Sequence, residues 1–349
     1  MRPLRFVLTG VGRVGRSFLE VWRSRAALLE ARYGLSLRAV GVADGSGAAW
    51  DPDGLDVAAI VALKAAGEGV ARLPGRGRAG VSARALVDAV AADLLLEATP
   101  SGPADGQPGL AVIGAALDRG MDVVMASKGP LVCAYAGLAA RSDLGGRGPR
   151  LRFSGAVGGA LASINLGRRD LAGGRIARVE AVLNATTQVI LELRARGLGA
   201  GEALAEAQRL GIAEPDARLD LEGWDAASKL VILANAALGR PTRLEDVAVR
   251  GIADVGDDLL RAAAGGRVSL LATAEASGGS VDAPDWRLTV APTVLAAGHP
   301  LARLVGGELG VVFESDVFGR TVLTSRADGP IGTAAAMLRD VIEVAGLRG

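Results

Sequence analysis

Residues 5–15 read RFVLTGVGRVG, and this stretch decides how the first part of the chain folds. Its first half is a short apolar strand pattern, and its second half has the spacing G-x-G-x-x-G ahead of a helical pattern. In such a turn the first glycine permits a tight bend, the second lets backbone approach a pyrophosphate, and the third lets helix pack on strand. The motif glycines are Gly10, Gly12 and Gly15, and the loop residues between them are Val11, Arg13 and Val14.

The segments that follow alternate between strand and helix patterns up to about residue 150. Strands that are apolar on both faces and alternate with helices are typical of a parallel sheet covered by helices on both sides. The sequence therefore predicts an α/β fold for residues 1–149, a Rossmann-type doubly wound parallel sheet that binds a dinucleotide. The further strand patterns lie at 37–44, 93–100 and 122–127, and the helical patterns lie at 17–32, 86–92 and 109–120.

A glycine-rich segment at 143–149 marks the expected boundary, and the pattern changes after it. Residues 150–326 are predicted to form a second α+β domain for catalysis and dimerisation, whose late strands are apolar enough to need a cover. The segment 327–349 contains a last helix that is expected to pack back on the first domain. The strand patterns lie at 175–184, 267–276, 286–292, 309–315 and 320–326, and the helical patterns lie at 187–196, 201–210 and 225–238.

The composition excludes several classes of protein. Half of the 349 residues are hydrophobic, 22% are charged and the net charge is +1, which gives no electrostatic case for binding nucleic acid or an anionic membrane. The lone Cys133 excludes an internal disulfide and a cysteine-based metal site. There is no signal-peptide pattern and no apolar run of the ~20 residues that span a membrane. A cytoplasmic protein is expected.

Residues that end the predicted strands are candidate cofactor contacts, because the carboxyl ends of parallel strands face the ligand crevice. Asp44 ends the second strand and is either an acceptor for an adenosine ribose or a turn residue of the sequence DGSG. No arginine or lysine follows it closely to pair with a 2′-phosphate, which favours NAD over NADP. Thr99, Pro100 and Lys128 end two later strands, where they either line the nicotinamide half or only form turns.

Residues 211–230 read GIAEPDARLDLEGWDAASKL, with five acids and one lysine, Lys229, directly before the apolar run LVILANAAL. Asp225 and Lys229 are four residues apart and share one helical face. A surface ion pair worth ~0.3–0.5 kcal/mol is the plainer interpretation. A lysine that enters a buried helix, however, must be paired or functional. Glu214 and Asp220 could then supply polar contacts to an amine substrate.

These segments together resemble the homoserine dehydrogenase family over nearly the whole chain, in a short form without an appended regulatory or kinase domain. The most specific piece is 210–230. Ser127, Ala185 and Gln188 depart from the family pattern, and a glycine-rich stretch near the C-terminus is reduced to SRADG, which keeps only Gly329. The other segments that carry the resemblance are GVGRVG, EATPSGPADGQPG, MASKGP, SGAVGGALASIN, VLNATTQVIL, GHPLARL and DGPIGTAAAMLRD.

The resemblance implies reversible hydride transfer between L-homoserine and L-aspartate 4-semialdehyde with NAD or NADP, by a homodimer. It implies that Lys229 is the acid/base, that Asp225 holds it, and that Lys128 enters the same site from the cofactor side. The implied substrate contacts are Glu214, Asp220, Asn184 and Thr186, and Gly329 is an implied cofactor contact. The implied ligands of a monovalent cation, commonly Na⁺, are the main-chain carbonyls of Ser154, Val157, Gly159 and Leu161.

Two rival interpretations remain open at the level of sequence. An aldehyde-oxidising dehydrogenase of the aspartate-semialdehyde type would need an activated cysteine. Cys133 is the only thiol, and the only histidine is His299 in a GHP turn. The second rival interpretation is a nucleotide-binding sensor without turnover, which the reduced SRADG segment suggests.

Overall fold

The computed structural model describes residues 2–100, 102, 104–263, 265–280, 284–326 and 329–346. The chain forms two compact units. The first comprises Met1–Ala160 together with Gly329–Gly349, and the second comprises Leu161–Asp328. The first unit thus continues past residue 149, where the sequence predicted a boundary.

Residues 151–160 lie with the first unit because they are bonded within it. Leu151–Arg152 adds a strand to the sheet of that unit. Ser154 follows it, and both its backbone N–H and its hydroxyl donate to Asp340 on the last helix, at 2.8 and 2.6 Å. A boundary drawn from glycine content alone does not register such contacts.

The first unit is built around a seven-stranded sheet in the order β4-β3-β2-β1-β5-β6-β7. The strands are β1 Leu4–Thr9, β2 Leu37–Asp44, β3 Gly47–Trp50, β4 Gly77–Ala79, β5 Leu94–Glu97, β6 Asp122–Met125 and β7 Leu151–Arg152. The helices are α1 Arg13–Tyr33, α2 Val57–Ala65, α3 Ala83–Ala89, α4 Gly109–Asp118, α5 Gly129–Ala140 and, at the end of the chain, α12 Ile331–Gly346.

The α/β fold and the parallel core of this sheet are confirmed, but the sheet is mixed rather than wholly parallel. Neighbours from β2 through β1, β5 and β6 to β7 pair in parallel. The additional strands β3 and β4 pair antiparallel beyond β2. The chain reverses direction after β2 in a tight turn, in which the Asp44 side chain accepts the backbone N–H of Ser46 at 2.9 Å.

Alternate residues of β1 show that helices cover both faces of the sheet. Phe6 and Leu8 are fully buried in a core that includes Phe18 of α1 and Met337 of α12. The residue between them, Val7, points to the opposite face, where it lies near Leu86 of α3 at the position of Gly41. A strand buried on both sides reads as a continuous apolar run, which is why RFVL predicted it correctly.

The second unit contains a six-stranded sheet in the order β13-β12-β8-β10-β11-β9. Its neighbours pair antiparallel, except that β9 runs parallel to β11. The strands are β8 Ile176–Val182, β9 Val247–Val249, β10 Arg267–Gly279, β11 Pro284–Leu295, β12 Leu309–Ser315 and β13 Gly319–Ser325. The helices are α6 Ser163–Asn165, α7 Ala185–Ala195, α8 Ala200–Arg209, α9 Arg218–Leu221, α10 Trp224–Ala237 and α11 Asp257–Ala262.

The helices α7 and α10 pack on the sheet of this unit and position the side chains of interest. α7 contacts β10, and α10 contacts β9, β10 and β11. The residues of α10 from Leu230 to Asn235 are buried, which confirms the buried helix predicted after Lys229. Among the described residues, no helix is both long and apolar enough to cross a membrane.

Candidate active site

Four polar side chains of the second unit meet between the start of α7 and the first turns of α10. Asn184 is at the centre, and its Nδ2 donates to Asp220 Oδ1 at 2.6 Å and to Asp225 Oδ2 at 2.8 Å. The ammonium of Lys229 lies 2.6 Å from the same Asp225 oxygen and donates to the carbonyl of Leu183 at 2.6 Å. We call Asn184, Asp220, Asp225 and Lys229 the acid–lysine cluster.

Local structure explains how each member reaches the cluster. Asn184 caps α7, since its Oδ1 accepts the N–H of Thr187 at 2.9 Å, and this leaves its amide N–H₂ to face the acids. Asp225 is in the first turn of α10, where a carboxylate is stabilised by the helix dipole. Lys229 lies one turn further along the same face. Asp220 is on the short helix α9 that precedes α10.

Burial distinguishes this ion pair from a surface one. The side chains of Lys229 and Asp225 are only 14% and 12% exposed. Removing two charges from water is costly, and hydrogen bonds with the side-chain amide of Asn184 and the carbonyl of Leu183 offset part of that cost. The cluster carries two carboxylates for one ammonium, so it can hold a second cation such as an amine. The ammonium itself can donate a proton to an oxygen that gains negative charge.

The structure connects Thr186 to the segment that contains Glu214. Thr186 is buried and its hydroxyl donates to the carbonyl of Ile212 at 3.2 Å, which ties α7 to the segment that contains Glu214. Glu214 is exposed, and its backbone carbonyl accepts a hydrogen bond from Gln208 at 3.2 Å. Among the hydrogen bonds given above for the cluster, none reaches Glu214, so its role as a substrate contact stays a prediction.

The glycine loop of the first unit has the geometry that a pyrophosphate needs. Gly10 has φ +85°, and a Cβ there would overlap the backbone of Ala98 after β5. A Cβ on Gly15 would overlap the carbonyl of Gly10. Gly12, in contrast, is exposed and faces open space at the N-terminus of α1. The residues therefore fit a dinucleotide: two glycines are required by the loop itself, and the third leaves backbone N–H groups accessible.

Asp44 is occupied by neighbours of its own unit, and one of them is a lysine that the sequence reasoning missed. Its Oδ1 accepts the N–H and the hydroxyl of Ser46, while its Oδ2 accepts Lys64 Nζ at 2.6 Å and the N–H of Val70 at 3.1 Å. Although burial by itself raises it, the hydrogen bonds from Lys64 and Ser46 hold the pKa of Asp44 below its usual value.

The NAD preference was inferred because no arginine or lysine closely follows Asp44 in the sequence, and it stays a prediction. In the structure, Lys64, 20 residues further along the chain, pairs with Asp44. The acceptor role proposed for Asp44 has little remaining capacity, since four donors already engage its two oxygens.

The strand ends that carry Thr99, Pro100 and Lys128 belong to β5 and β6, which are neighbours in the sheet. Thr99 is 8% exposed, and its N–H donates at 2.8 Å to Glu97, a buried acid that the sequence reasoning also missed. Pro100 is exposed. Lys128 caps α5, which continues with Pro130 in its first turn. These residues lie where ligands bind in parallel sheets, at the carboxyl edge.

The proposed cation ligands follow β7 in a turn that requires glycine. Gly158 and Gly159 both have positive φ, +76° and +58°. Ser154, Val157 and Leu161 are fully buried or nearly so. Burial raises the pKa of Asp340, the partner of Ser154, to about 6. Gly329, the remaining cofactor candidate, is described as a turn with φ +62°, whereas Ala327 and Asp328 of SRADG lie outside the described residues.

The thiol and the imidazole of the rival mechanism lie in different units of the chain. Cys133 is exposed on α5 of the first unit. In the second unit, His299 Nε2 lies 2.9 Å from Glu180 Oε2, and its Nδ1 accepts the N–H of Leu301 at 3.2 Å. Both ring nitrogens of the histidine are therefore taken by other groups. Among the described residues, no three His, Cys, Asp or Glu side chains form a metal-binding group.

Comparison with known proteins gives one consistent answer. The family model for homoserine dehydrogenase matches residues 163–342. A homoserine dehydrogenase from Methanocaldococcus jannaschii is 34% identical over 97% of both chains. An NAD(+)-dependent homoserine dehydrogenase from Pseudomonas canavaninivorans is 33% identical over 99% of this chain and 97% of its own length.

Solved structures agree. A hyperthermophilic archaeal homoserine dehydrogenase in complex with NADPH superposes with a TM-score of 0.84 at 25% identity, covering 100% of this chain and 99% of that one. A homoserine dehydrogenase from Thiobacillus denitrificans gives a TM-score of 0.83 at 29% identity, covering 100% of this chain and 74% of that one.

Proposed function

The chain belongs to the homoserine dehydrogenase family, and we propose that the acid–lysine cluster is where it handles the proton of that family's reaction. The protein is an NAD(P)-dependent oxidoreductase that interconverts L-homoserine and L-aspartate 4-semialdehyde, a step of amino-acid biosynthesis towards threonine and methionine. The first unit is the proposed dinucleotide-binding domain, and the second is the proposed catalytic and dimerisation domain.

The observation that carries the proposal is the largely buried Lys229, whose ammonium lies between Asp225 and the carbonyl of Leu183. When bound, the nicotinamide accepts or returns the hydride at the substrate carbon that bears the oxygen. In the direction of alcohol formation, Lys229 donates a proton to the oxygen as its negative charge develops. In the other direction it takes the hydroxyl proton. Asp225 keeps the ammonium in place, and Lys128 is the second candidate for sharing the proton.

Substrate binding is assigned to two acids of the second unit. Asp220 and Glu214 are proposed to bind the α-ammonium of homoserine, since a carboxylate pairs best with a desolvated ammonium. Asn184 orients Asp220 and Asp225 by donating to both. Thr186 is proposed to shape the same pocket wall from the first turn of α7.

Cofactor binding is assigned to the first unit. The loop Gly10–Gly15 is proposed to hold the pyrophosphate, with Thr99, Pro100, Lys128 and Gly329 as further contacts. A preference for NAD over NADP stays a prediction, and its support is weaker because Lys64 accompanies Asp44. The comparison of kcat/KM for NAD⁺ and NADP⁺ measures that preference directly.

A monovalent cation and a second subunit complete the proposal. The carbonyls of Ser154, Val157, Gly159 and Leu161 are the proposed Na⁺ ligands, and activity in Na⁺ against a large organic cation tests them. A homodimer through the second domain is supported by β13, an edge strand that leaves Val322 43% exposed. A cytoplasmic location stays a prediction. A monomer at micromolar concentration by light scattering would contradict the dimer.

The experiment that tests the function is a cofactor-reduction assay with the purified chain. L-Homoserine should reduce NAD⁺ or NADP⁺, with an equal amount of aldehyde trapped as its hydrazone. The assay also separates the rivals: a sensor would bind the dinucleotide without turnover, and a thiol dehydrogenase would lose all activity in Cys133→Ser. We expect the Cys133→Ser variant to stay within a few fold of wild type.

A further inference from the structure

A buried carboxylate at the end of β5 has no role in the site described so far. Glu97 is fully buried. It accepts hydrogen bonds from the Thr99 N–H at 2.8 Å, from the hydroxyls of Thr99 and Ser127, and from the backbone N–H of Ser127. Its partners therefore come from the loops that follow two different strands, β5 and β6.

Packing alone does not explain this acid. The preceding residues Leu94, Leu95 and Leu96 are all fully buried, so an apolar side chain would suit the position. Burial raises the pKa of Glu97, and the four hydrogen bonds from Thr99 and Ser127 act against that rise. A buried charge is costly unless every acceptor site is used. The loops fill those sites, which makes the carboxylate a connector between them.

The connector sits under the edge of the sheet where a dinucleotide binds. Ser127 directly precedes Lys128, and Thr99 directly precedes Pro100, so Glu97 fixes the starting point of both loops. The loop after β1 joins them, because Gly10 packs against the backbone of Ala98. The three carboxyl ends of β1, β5 and β6 therefore form one continuous wall.

We propose that Glu97 is a positioning residue of the cofactor site, which ties the loops after β5 and β6 together and thereby sets Thr99 and Lys128 against the nicotinamide half. This inference rests on the proposed cofactor site of the first unit. Glu97 acts through Thr99 and Ser127 and contacts no substrate itself.

The test is the Glu97→Gln variant of the full chain. Glutamine has the same shape as glutamate, but its N–H₂ group cannot accept a hydrogen bond. The donors of either Thr99 or Ser127 therefore lose their acceptor, and the loop that carries them is released. We expect the Kd of NADH and NADPH, measured by nicotinamide fluorescence in the absence of substrate, to rise by roughly 10-fold or more, as expected for a lost buried hydrogen bond. The KM for homoserine should change less than the KM for cofactor.

A matched control separates positioning from general stability. Asp122 is a buried acid as well, but it is the first residue of β6 and so lies at the edge of the sheet opposite to Glu97. There it accepts the N–H of Arg150 at 2.7 Å. Asp122→Asn should lower the melting temperature and leave the cofactor Kd unchanged. Glu97→Gln with a lowered melting temperature and a wild-type Kd would overturn the inference, since both acids would then be merely structural.

A milder variant covers the case in which Glu97→Gln does not fold. Ser127→Ala removes one hydroxyl donor and keeps the carboxylate, so the Kd of NADH should rise in the same direction by a smaller factor. An unchanged Kd in folded Ser127→Ala would again overturn the inference. Failure of the wild-type chain to bind NADH or NADPH would instead reject the proposed function.

Discussion

The glycine loop of the first unit and the acid–lysine cluster of the second are built on different principles. The loop is one continuous stretch, and neighbouring backbone atoms decide which residues it tolerates at Gly10 and Gly15. The cluster gathers side chains from separate segments, and hydrogen bonds between them hold it together. The loop is therefore most sensitive to an added methyl group, whereas the cluster is most sensitive to the loss of a charge or of a hydrogen-bond donor.

The largest effect is expected from removing the charge of Lys229. General acid–base catalysis contributes typically ~10²–10⁴-fold, so Lys229→Ala should lower kcat and kcat/KM together by that order. Lys229→Arg should not restore activity, because a guanidinium holds its proton too tightly to exchange it near neutral pH. Steady-state kinetics on variants whose fold is checked by circular dichroism measures this. A purely structural ion pair would instead lower stability and leave kcat near wild type.

The next effect contrasts two glycines of one loop. Gly10→Ala combines a left-handed backbone with overlap on Ala98 and should cost roughly 2–5 kcal/mol of the free energy of unfolding. Gly12→Ala meets no atom within 4 Å and has an ordinary negative φ, so the fold should survive. Its methyl group should instead weaken NADH binding by roughly 10-fold or more, since it fills the space for the pyrophosphate.

Denaturant titration and NADH fluorescence on the same two variants test that contrast. Equal stability of Gly10→Ala and Gly12→Ala would mean that the close approach to Ala98 does not limit the loop. Unchanged NADH affinity in Gly12→Ala would remove the argument that open space at Gly12 receives the pyrophosphate.

In the first unit, the ionisation of the buried acid Asp340 makes stability depend on pH. Burial raises the pKa of Asp340 to about 6 from its ordinary value of 3.8, so the folded state binds this proton more tightly than the unfolded state. Stability from this group is thus present at low pH and is lost as pH rises from about 4 through 6. The shift corresponds to at most ~3 kcal/mol over that range.

Asp340→Asn should abolish this part of the pH dependence. The free energy of unfolding of wild type minus that of the variant should therefore grow as pH falls from 7 to 4, measured by urea titration at each pH. A difference that stays constant with pH would mean that the Ser154 donors keep Asp340 ionised across the range.

The smallest effect is expected at Glu214, an exposed acid that is proposed to contact the substrate. Glu214→Gln should raise the KM for homoserine by roughly 10-fold with kcat nearly unchanged, because the substrate ammonium changes little during hydride transfer. Asp216→Asn is the matched control, since Asp216 is an exposed acid two residues away that pairs with Arg218 at 2.7 Å. Equal KM values for both variants and wild type would remove Glu214 from the substrate site.

Local patterns accounted for most of the fold. The β1–loop–α1 segment was predicted because its apolar run, its glycine spacing and its helical pattern all lie within one continuous stretch of sequence. β3 and β4 were missed because strands of four and three residues rich in glycine and alanine have no apolar alternation to detect. The start of α1 was predicted late, at Ser17 rather than Arg13, because the glycines hide its first turn.

The site was predictable only where its members are neighbours in the chain. Asp225 and Lys229 share a helical face by their spacing alone. The contact of Asn184 with Asp220 spans 36 residues, and that of Lys64 with Asp44 spans 20, so both depend on how helices pack on the sheets. Glu97 was included in the predicted strand at 93–100, because nothing in the sequence indicates that two loops converge on it.

Chemical rescue of Lys229→Ala tests the central claim most directly, namely that the cluster supplies the proton through Lys229. The variant leaves a gap beside Asp225 that a small primary ammonium ion such as methylammonium can fill. If Lys229 exchanges the proton, kcat of the variant should rise with methylammonium concentration and saturate, while tetramethylammonium, which carries no proton to exchange, should have no effect. A variant that is folded, binds NADH normally and keeps the same low rate at every methylammonium concentration would contradict the account.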